Sequence, residues 1–238
     1  MTDMATTRFD KSRRRDGETF ASATYAQLRR DIIEGQFPAG GKLRIRQLCE
    51  HYKVGISPVR EALNRLSSDG FVRQSDLQGF SVAPLTVAEL DELTKTRCWL
   101  NEIALRESIA HGDANWEETI VLAFHRLTRV SRWIDPDDPE NVAVNHEWEV
   151  AHRHFHASLI AAAGSTLLRQ YCEQLFDMAD RYRHLSRTPG AKRSRGRDEH
   201  RLIMEATIAR NAEQAVKLLS DHFRKTAELG RQAFGNAR

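Results

Sequence analysis

Histidines carry the first chemical signal in this sequence: nine of the ten lie after residue 84. In the run EVAHRHFHASLIAAAGS, His152 and His156 are four apart. On a helix both imidazoles then share one face and can reach a single ion. Glu149, three residues before His152, falls near that face, whereas His154 points away toward the surface. His200 and His222 stand on two later segments and can complete a histidine cluster in a bundle interior. Neutral imidazoles suit a divalent ion such as Zn²⁺, Ni²⁺ or Cu²⁺. The same rings can instead hydrogen-bond around a metal-free pocket. Arg97, Arg181 and Arg183 add a second chemistry, since a guanidinium clamps a carboxylate through paired N–H donors. Tyr182 offers a hydroxyl beside them, with packed core as its alternative; for the arginines the alternative is an exposed salt bridge.

A third set of side chains suits nucleic acid. Arg60 and Asn64 lie four apart on the side opposite Leu63 and Leu66. Arg60 can grip guanine or a phosphate, and Asn64 has the amide geometry for adenine. Arg65 is placed to reach the phosphate backbone. Arg44 and Arg46 sit at the start of a preceding short helix, where phosphates pass, and Arg73 with Gly79 belongs to a wing. Glu61 is a poor groove ligand and fits better as a partner for a neighbouring arginine, while Tyr52 reads as core.

The elements that must position these groups are legible from periodicity and punctuation. Residues 1–20 are polar, carry Lys11 and Arg13–Arg15, and read as a basic arm. From Ser22, Tyr25, Leu28, Ile32 and Ile33 recur at helical spacing until Gly35. A second helix runs from Ile45 to about Tyr52, with Leu48 and Cys49 inward. A third opens at Ser57-Pro58, with Ser57 as N-cap, and buries Val59, Ala62, Leu63 and Leu66 before stopping at Gly70. Strands are predicted at 71–73 and 80–82, and Pro84 ends the module. Three short helices and a hairpin over residues 21–84 make a winged helix-turn-helix. Residues 85–230 are helical almost throughout, with helices near 86–110, 114–132, 144–163, 165–185, 195–210 and 212–230, and 231–238 as a tail. The fold class is therefore mainly α, a winged helix followed by an antiparallel bundle large enough to enclose a pocket. Trp99, Trp116, Trp133 and Trp148 read as core or dimer packing.

Bulk properties agree. Of 238 residues, 40% are hydrophobic and 29% charged, as in soluble globular proteins. Apolar runs fall short of the roughly 18 residues a membrane span requires, and the opening residues lack a signal-peptide core. Cys49, Cys98 and Cys172 are scattered without metal-binding spacing, which predicts reduced thiols in a cytoplasmic protein. Residues 1–84 hold 14 Lys/Arg against 10 Asp/Glu, whereas 85–238 hold 22 against 23, a basic module joined to a near-neutral one.

The stretch LRIRQLCEHYKVGISPVREALNRLSSDGFV, followed by GFSV, resembles the GntR family of bacterial regulators. Pro-Val-Arg-Glu-Ala-Leu at 58–63, Arg65-Leu66 and Gly70-Phe71-Val72 carry the resemblance. It implies DNA contacts at Arg46, Arg60, residue 56 and Gly79, with Ile56 standing where the family usually has Arg. The second part resembles the FCD ligand-binding domain of the FadR subgroup. The matching residues are His152 in place of an Asp, Phe155-His156, Ala162-Ala163-Gly164-Ser165, Glu199-His200 and His222. That resemblance implies a divalent ion on the four histidines beside a carboxylate effector. LFDMADRYRHL and His152 are also similar to regulators of 4-aminobutyrate and glutarate breakdown, which implies a small dicarboxylate.

These readings predict a homodimeric repressor that binds operator DNA and is released by a small carboxylate. The alternative is a metal-dependent enzyme using the histidines, with Glu149 or Glu205 as base; a third reading is an architectural DNA-binding protein without an effector.

Overall fold

The computed structural model describes residues 19–75, 79–135, 138, 143–186 and 196–236. The basic arm predicted for 1–20 lies outside them except at its end, where Thr19 caps a helix that begins at Phe20. The loop tip between the two wing strands and the predicted break at Pro189-Gly190 also lie outside.

The chain divides into two compact units, Met1–Thr86 and Val87–Arg238. The first contains α1 (Phe20–Ile33), β1 (Lys42–Leu43), α2 (Ile45–Tyr52), α3 (Ile56–Ser68), β2 (Val72–Ser75) and β3 (Gly79–Val82). Its core joins Leu28 and Ile32 of α1 to Leu48 of α2 and Val59, Leu63 and Leu66 of α3, all nearly sealed from solvent. Tyr52 is buried as predicted, and its hydroxyl donates to Asp31 Oδ2 at 2.6 Å. The sheet runs β1-β3-β2 with both pairings antiparallel, Leu43 opposite Phe80 and Arg73 opposite Ser81. β1 was not among the predicted strands. Two residues show no alternation, and only pairing with β3 makes them a strand.

One cap differs from the sequence reading. α3 starts at Ile56 with Gly55 at its N-cap, so Ser57 is its second helical residue and caps nothing. Pro58 still sits in the first turn, where its missing N–H leaves no intrahelical bond unmade.

The second unit is a helical bundle of α4 (Val87–His111), α5 (Ala114–Arg129), α6 (His146–Leu159), α7 (Thr166–Leu185), α8 (Gly196–Ile208) and α9 (Ala212–Asn236). Asp113, Asn145 and Ser165 cap α5, α6 and α7 by accepting from backbone N–H groups of the first turn. α4 packs on α7 and α9, α5 on α6 and α8, and α8 on α9. Leu105, Ile120, Phe155, Leu159 and Ile203 form the driest part of the core. The tail predicted for 231–238 is instead helical to Asn236. Gly230 lets α9 pass α4 closely: a β-carbon there would stand 3.1 Å from Leu90 Cδ2. Arg231 then ties the helix to Asp91 Oδ1 at 2.8 Å. Among the described residues no helix is long and apolar enough to cross a membrane.

Candidate functional site

The bundle encloses a cavity of about 520 Å³ whose wall contains His152, His200, His222, Arg97, Arg183 and Trp148. His152 and His156 come from α6, His200 from α8 and His222 from α9, so three helices must pack before the cluster exists. Once packed, one ligating atom from each of the four histidines lies within 4.8 Å of all the others. His152 Nε2 and His156 Nε2 approach to 3.2 Å. The rings are held from several sides: Trp148 stacks on His152 at 4.6 Å between centroids, and His156 stacks on His222 at 5.3 Å.

Burial favours the neutral form of His152, His156 and His222. Desolvation lowers His152 and His156 well below the ordinary imidazole range, and the neighbouring imidazoles and arginines push the same way. His222 is also lowered by burial, which outweighs the pull of Glu199. Its Nδ1 lies 2.9 Å from Glu199 Oε2. With the ring neutral and the carboxylate ionised, Nδ1–H donates and Nε2 keeps a free lone pair. The bond from His222, together with Lys225, holds Glu199 down at about 2. Neutral imidazoles at ligand spacing, one of them oriented by a carboxylate, are suited to a borderline divalent cation.

Arg97 adds a buried guanidinium to the same cavity wall. It is buried in α4 with its guanidinium over the Phe223 ring at 3.8 Å and the Phe176 ring at 5.2 Å. Burial pushes it down to about 10, which leaves it cationic at neutral pH. No ion pair or hydrogen bond of its guanidinium stands among the described residues. Arg183, by contrast, is bound at Nε to Asp180 Oδ1 at 2.9 Å and reaches Glu149 Oε1 at 3.5 Å. Arg97 Nε, Arg183 Nη1 and His152 Nδ1 are buried polar atoms without a hydrogen-bond partner, and all belong to cavity-wall residues.

Arg181 and Tyr182 depart from expectation. Both are buried, but neither lines this cavity. Helical periodicity explains it: Phe176, Ala179, Asp180 and Arg183 form the cavity-facing stripe of α7, and the two residues between fall off it. Tyr182 lines a small separate pocket with Leu90 and Leu93 instead. Trp133 and Trp148, read from sequence as packing residues, are cavity wall. Trp148 was findable, because it stands four before His152 on the same helix face. Lys225, three after His222, gave a comparable signal. His154 is exposed as expected, and Glu205 is exposed and bound to Arg201.

In the first unit, α3 presents Arg60 and Asn64 to solvent, and Arg44 (the N-cap of α2) and Arg46 are exposed. Neither α2 nor α3 has an acidic residue in its first turn, so their N-terminal N–H groups face outward without a repelling charge. Arg73 is exposed on β2, and Gly79 opens β3 at φ +73°, a left-handed conformation that favours glycine. Arg65 is engaged within the unit: it lies 4.2 Å over the Tyr25 ring and 3.4 Å from Ser22 Oγ. Tyr25 in turn donates to Asp69 Oδ2 at 2.6 Å, so this arginine helps seal α1 against α3.

Both units match family models: residues 20–82 match bacterial regulatory proteins of the gntR family, and residues 92–225 match the FCD domain. The chain belongs to the GntR family of bacterial regulators. It is 34% identical to the uncharacterized HTH-type transcriptional regulator BphR of Paraburkholderia xenovorans (strain LB400), over 88% of this chain and 84% of that protein. It is 31% identical to the HTH-type transcriptional repressor GlaR of Escherichia coli (strain K12), over 88% of this chain and 94% of that protein. Among solved structures, E. coli McbR/YncC shares the fold with a TM-score of 0.73 at 19% identity, covering 91% of this chain and 99% of that one. This GntR member is thus a DNA-binding transcription regulator whose FCD domain binds a ligand. The family and these relatives are transcription regulators, and the enzyme reading falls away.

Proposed function

We propose that this GntR regulator is a homodimeric repressor, acting on chromosomal DNA in the cytoplasm and released by a small carboxylate or dicarboxylate. One observation carries the effector class: a buried arginine that makes no ion pair among the described residues shares one cavity wall with His152, His200 and His222 of the histidine cluster. A carboxylate docked there would give Arg97 the ion pair it lacks among the described residues. The repressor role of the E. coli relative supports the direction of regulation.

The four histidines fit a divalent ion. Two nitrogen ligands on one tetrahedral ion stand roughly 3.3 Å apart, and the His152 and His156 Nε2 atoms are 3.2 Å apart. Such an ion would supply a positive charge for an effector oxygen. His152, His156, His200 and His222 would hold it, and Arg97 would orient the effector's carboxylate beside it.

For DNA, we assign base contacts to Arg60 and Asn64 on α3 and phosphate contacts to Arg44, Arg46, Ser57 and Arg73, with Gly79 shaping the wing. Arg65 keeps a supporting role through Tyr25. For self-association, Trp99 and Ile103 on α4 and Leu167 and Tyr171 on α7 are exposed apolar residues on two helices packed side by side. A two-fold contact through that surface would join two winged helices in one particle.

The test is genomic fragment selection by the purified protein, with retained metal quantified on the same sample. Selected DNA is then challenged with a panel of C3–C6 mono- and dicarboxylates. Enrichment of a pseudo-palindrome, lost in Arg60→Ala, and its release by one carboxylate but not in Arg97→Met, is the expected result. Release that persists in Arg97→Met would place the effector elsewhere.

A further inference from the structure

Ile56 is the first residue of α3, and its side chain is 58% exposed. Val59, Ala62, Leu63 and Leu66 of the same helix are fully buried, whereas Ile56, in the first turn, is left open to solvent. Ile56, Arg60 and Asn64 follow at four-residue spacing, so they run down one solvent face. In a helix-turn-helix, the N-terminal residues of this helix are the ones that meet base edges. An aliphatic side chain therefore leads the reading face of this regulator.

Groove chemistry narrows what that side chain can read. Isoleucine has no donor or acceptor. Set against guanine or adenine N7 it would strip water from an acceptor without replacing it, and against cytosine N4 it would do the same to a donor. Thymine alone presents an apolar group in the major groove, its C5-methyl. We propose that Ile56 is a specificity-determining residue that selects thymine at one position of each half-site by packing on that methyl group. The inference rests on the DNA-binding role of the winged helix and adds an apolar element to a recognition face otherwise made of hydrogen-bonding groups.

The experiment starts from the duplex most enriched by the full-length protein. Each thymine in turn is replaced by deoxyuridine, which removes the methyl and leaves every hydrogen-bonding group in place. Wild type should lose about fourfold in affinity at one symmetry-related thymine, the factor one buried methyl-sized group supplies. Ile56→Ala should bind the thymine and deoxyuridine duplexes equally, with an unchanged melting temperature because the residue is exposed. Equal wild-type affinity for all the deoxyuridine duplexes would overturn the assignment, and so would a loss that persists in Ile56→Ala. Failure to enrich any sequence would overturn it together with sequence-specific regulation, whereas retained dependence on Arg60 with no methyl effect would remove Ile56 alone.

Discussion

Glu199 on α8 accepts a hydrogen bond from Nδ1 of His222 on α9 at 2.9 Å, which commits Nε2 of that histidine to the cavity. Outer carboxylates of this kind fix the tautomer of a metal-binding histidine and raise its basicity. Glu199→Gln should therefore weaken Zn²⁺ or Ni²⁺ retention by roughly 10- to 100-fold, read by competition with a chromogenic chelator. Undiminished retention would mean that the bond only ties α8 to α9.

Acid should destabilise the metal-free protein in two separate windows. Burial lowers His152, His156 and His222, whereas in the unfolded chain they titrate near 6.5. Below that pH the unfolded state takes up protons that the folded state refuses, so this part of the stability is complete above 6.5 and falls as pH drops. Glu199 acts lower. Its folded value near 2 against 4.5 unfolded gives stability that is complete above 4.5 and lost as pH falls toward 2. Melting temperatures in chelator should decline between pH 6.5 and roughly pH 5, before most carboxylates titrate. His152→Phe should flatten that decline; an equal slope in wild type and variant would assign it to other groups.

Arg97 separates stability from function. A buried cation without an ion pair costs folding free energy, and an apolar residue of similar length removes that cost. Arg97→Met should leave the melting temperature unchanged or higher while abolishing the response of the DNA complex to carboxylates. A marked loss of stability would show that the Phe223 and Phe176 contacts of the guanidinium outweigh its desolvation.

The apolar surface of α4 and α7 should hold the dimer. A charge placed there is stranded in a desolvated contact, so Trp99→Glu or Ile103→Lys should shift the protein to a monomer in sedimentation velocity. Operator affinity should fall with it, because the two half-sites are then no longer bound by one particle. A variant that stays dimeric would move the interface to another face.

In the winged helix, Tyr52→Phe removes the hydroxyl that donates to buried Asp31, leaving Gln27 Nε2 at 2.9 Å as the carboxylate's remaining side-chain donor shown. The expected cost is about 1–3 kcal/mol, measured by denaturant unfolding. An unchanged midpoint would indicate that water replaces the phenol.

The winged helix was legible in the residues because its evidence is local. Spacing of Leu28 with Ile32 and of Val59 with Leu63 and Leu66, and the Gly70 exit, act within a few bonds of where they are read, whereas the Ser57 cap gave way to Gly55. The bundle's helices were legible for the same reason, with ends misjudged where a cap or a long-range ion pair decided them, as Arg231 and Asp91 do for α9. The i, i+4 pairing of His152 with His156 was likewise readable from one helix.

What spacing alone could not establish was which side chains from different helices would meet. His200 and His222 join the α6 pair only because α8 and α9 pack beside it, and no periodicity within one helix encodes the rotation of its neighbour. The same rotation put Arg97 and Arg183 on the cavity and turned Arg181 and Tyr182 away, although all four had looked equally suited to a carboxylate. Arg65, which sequence offers to the phosphate backbone, also lies over the ring of Tyr25, more than one helix distant in sequence. Residue types thus determined the available chemistry, imidazole, guanidinium and amide. Packing between helices selected which of those groups converge, because burial and side-chain direction are properties of the assembled core.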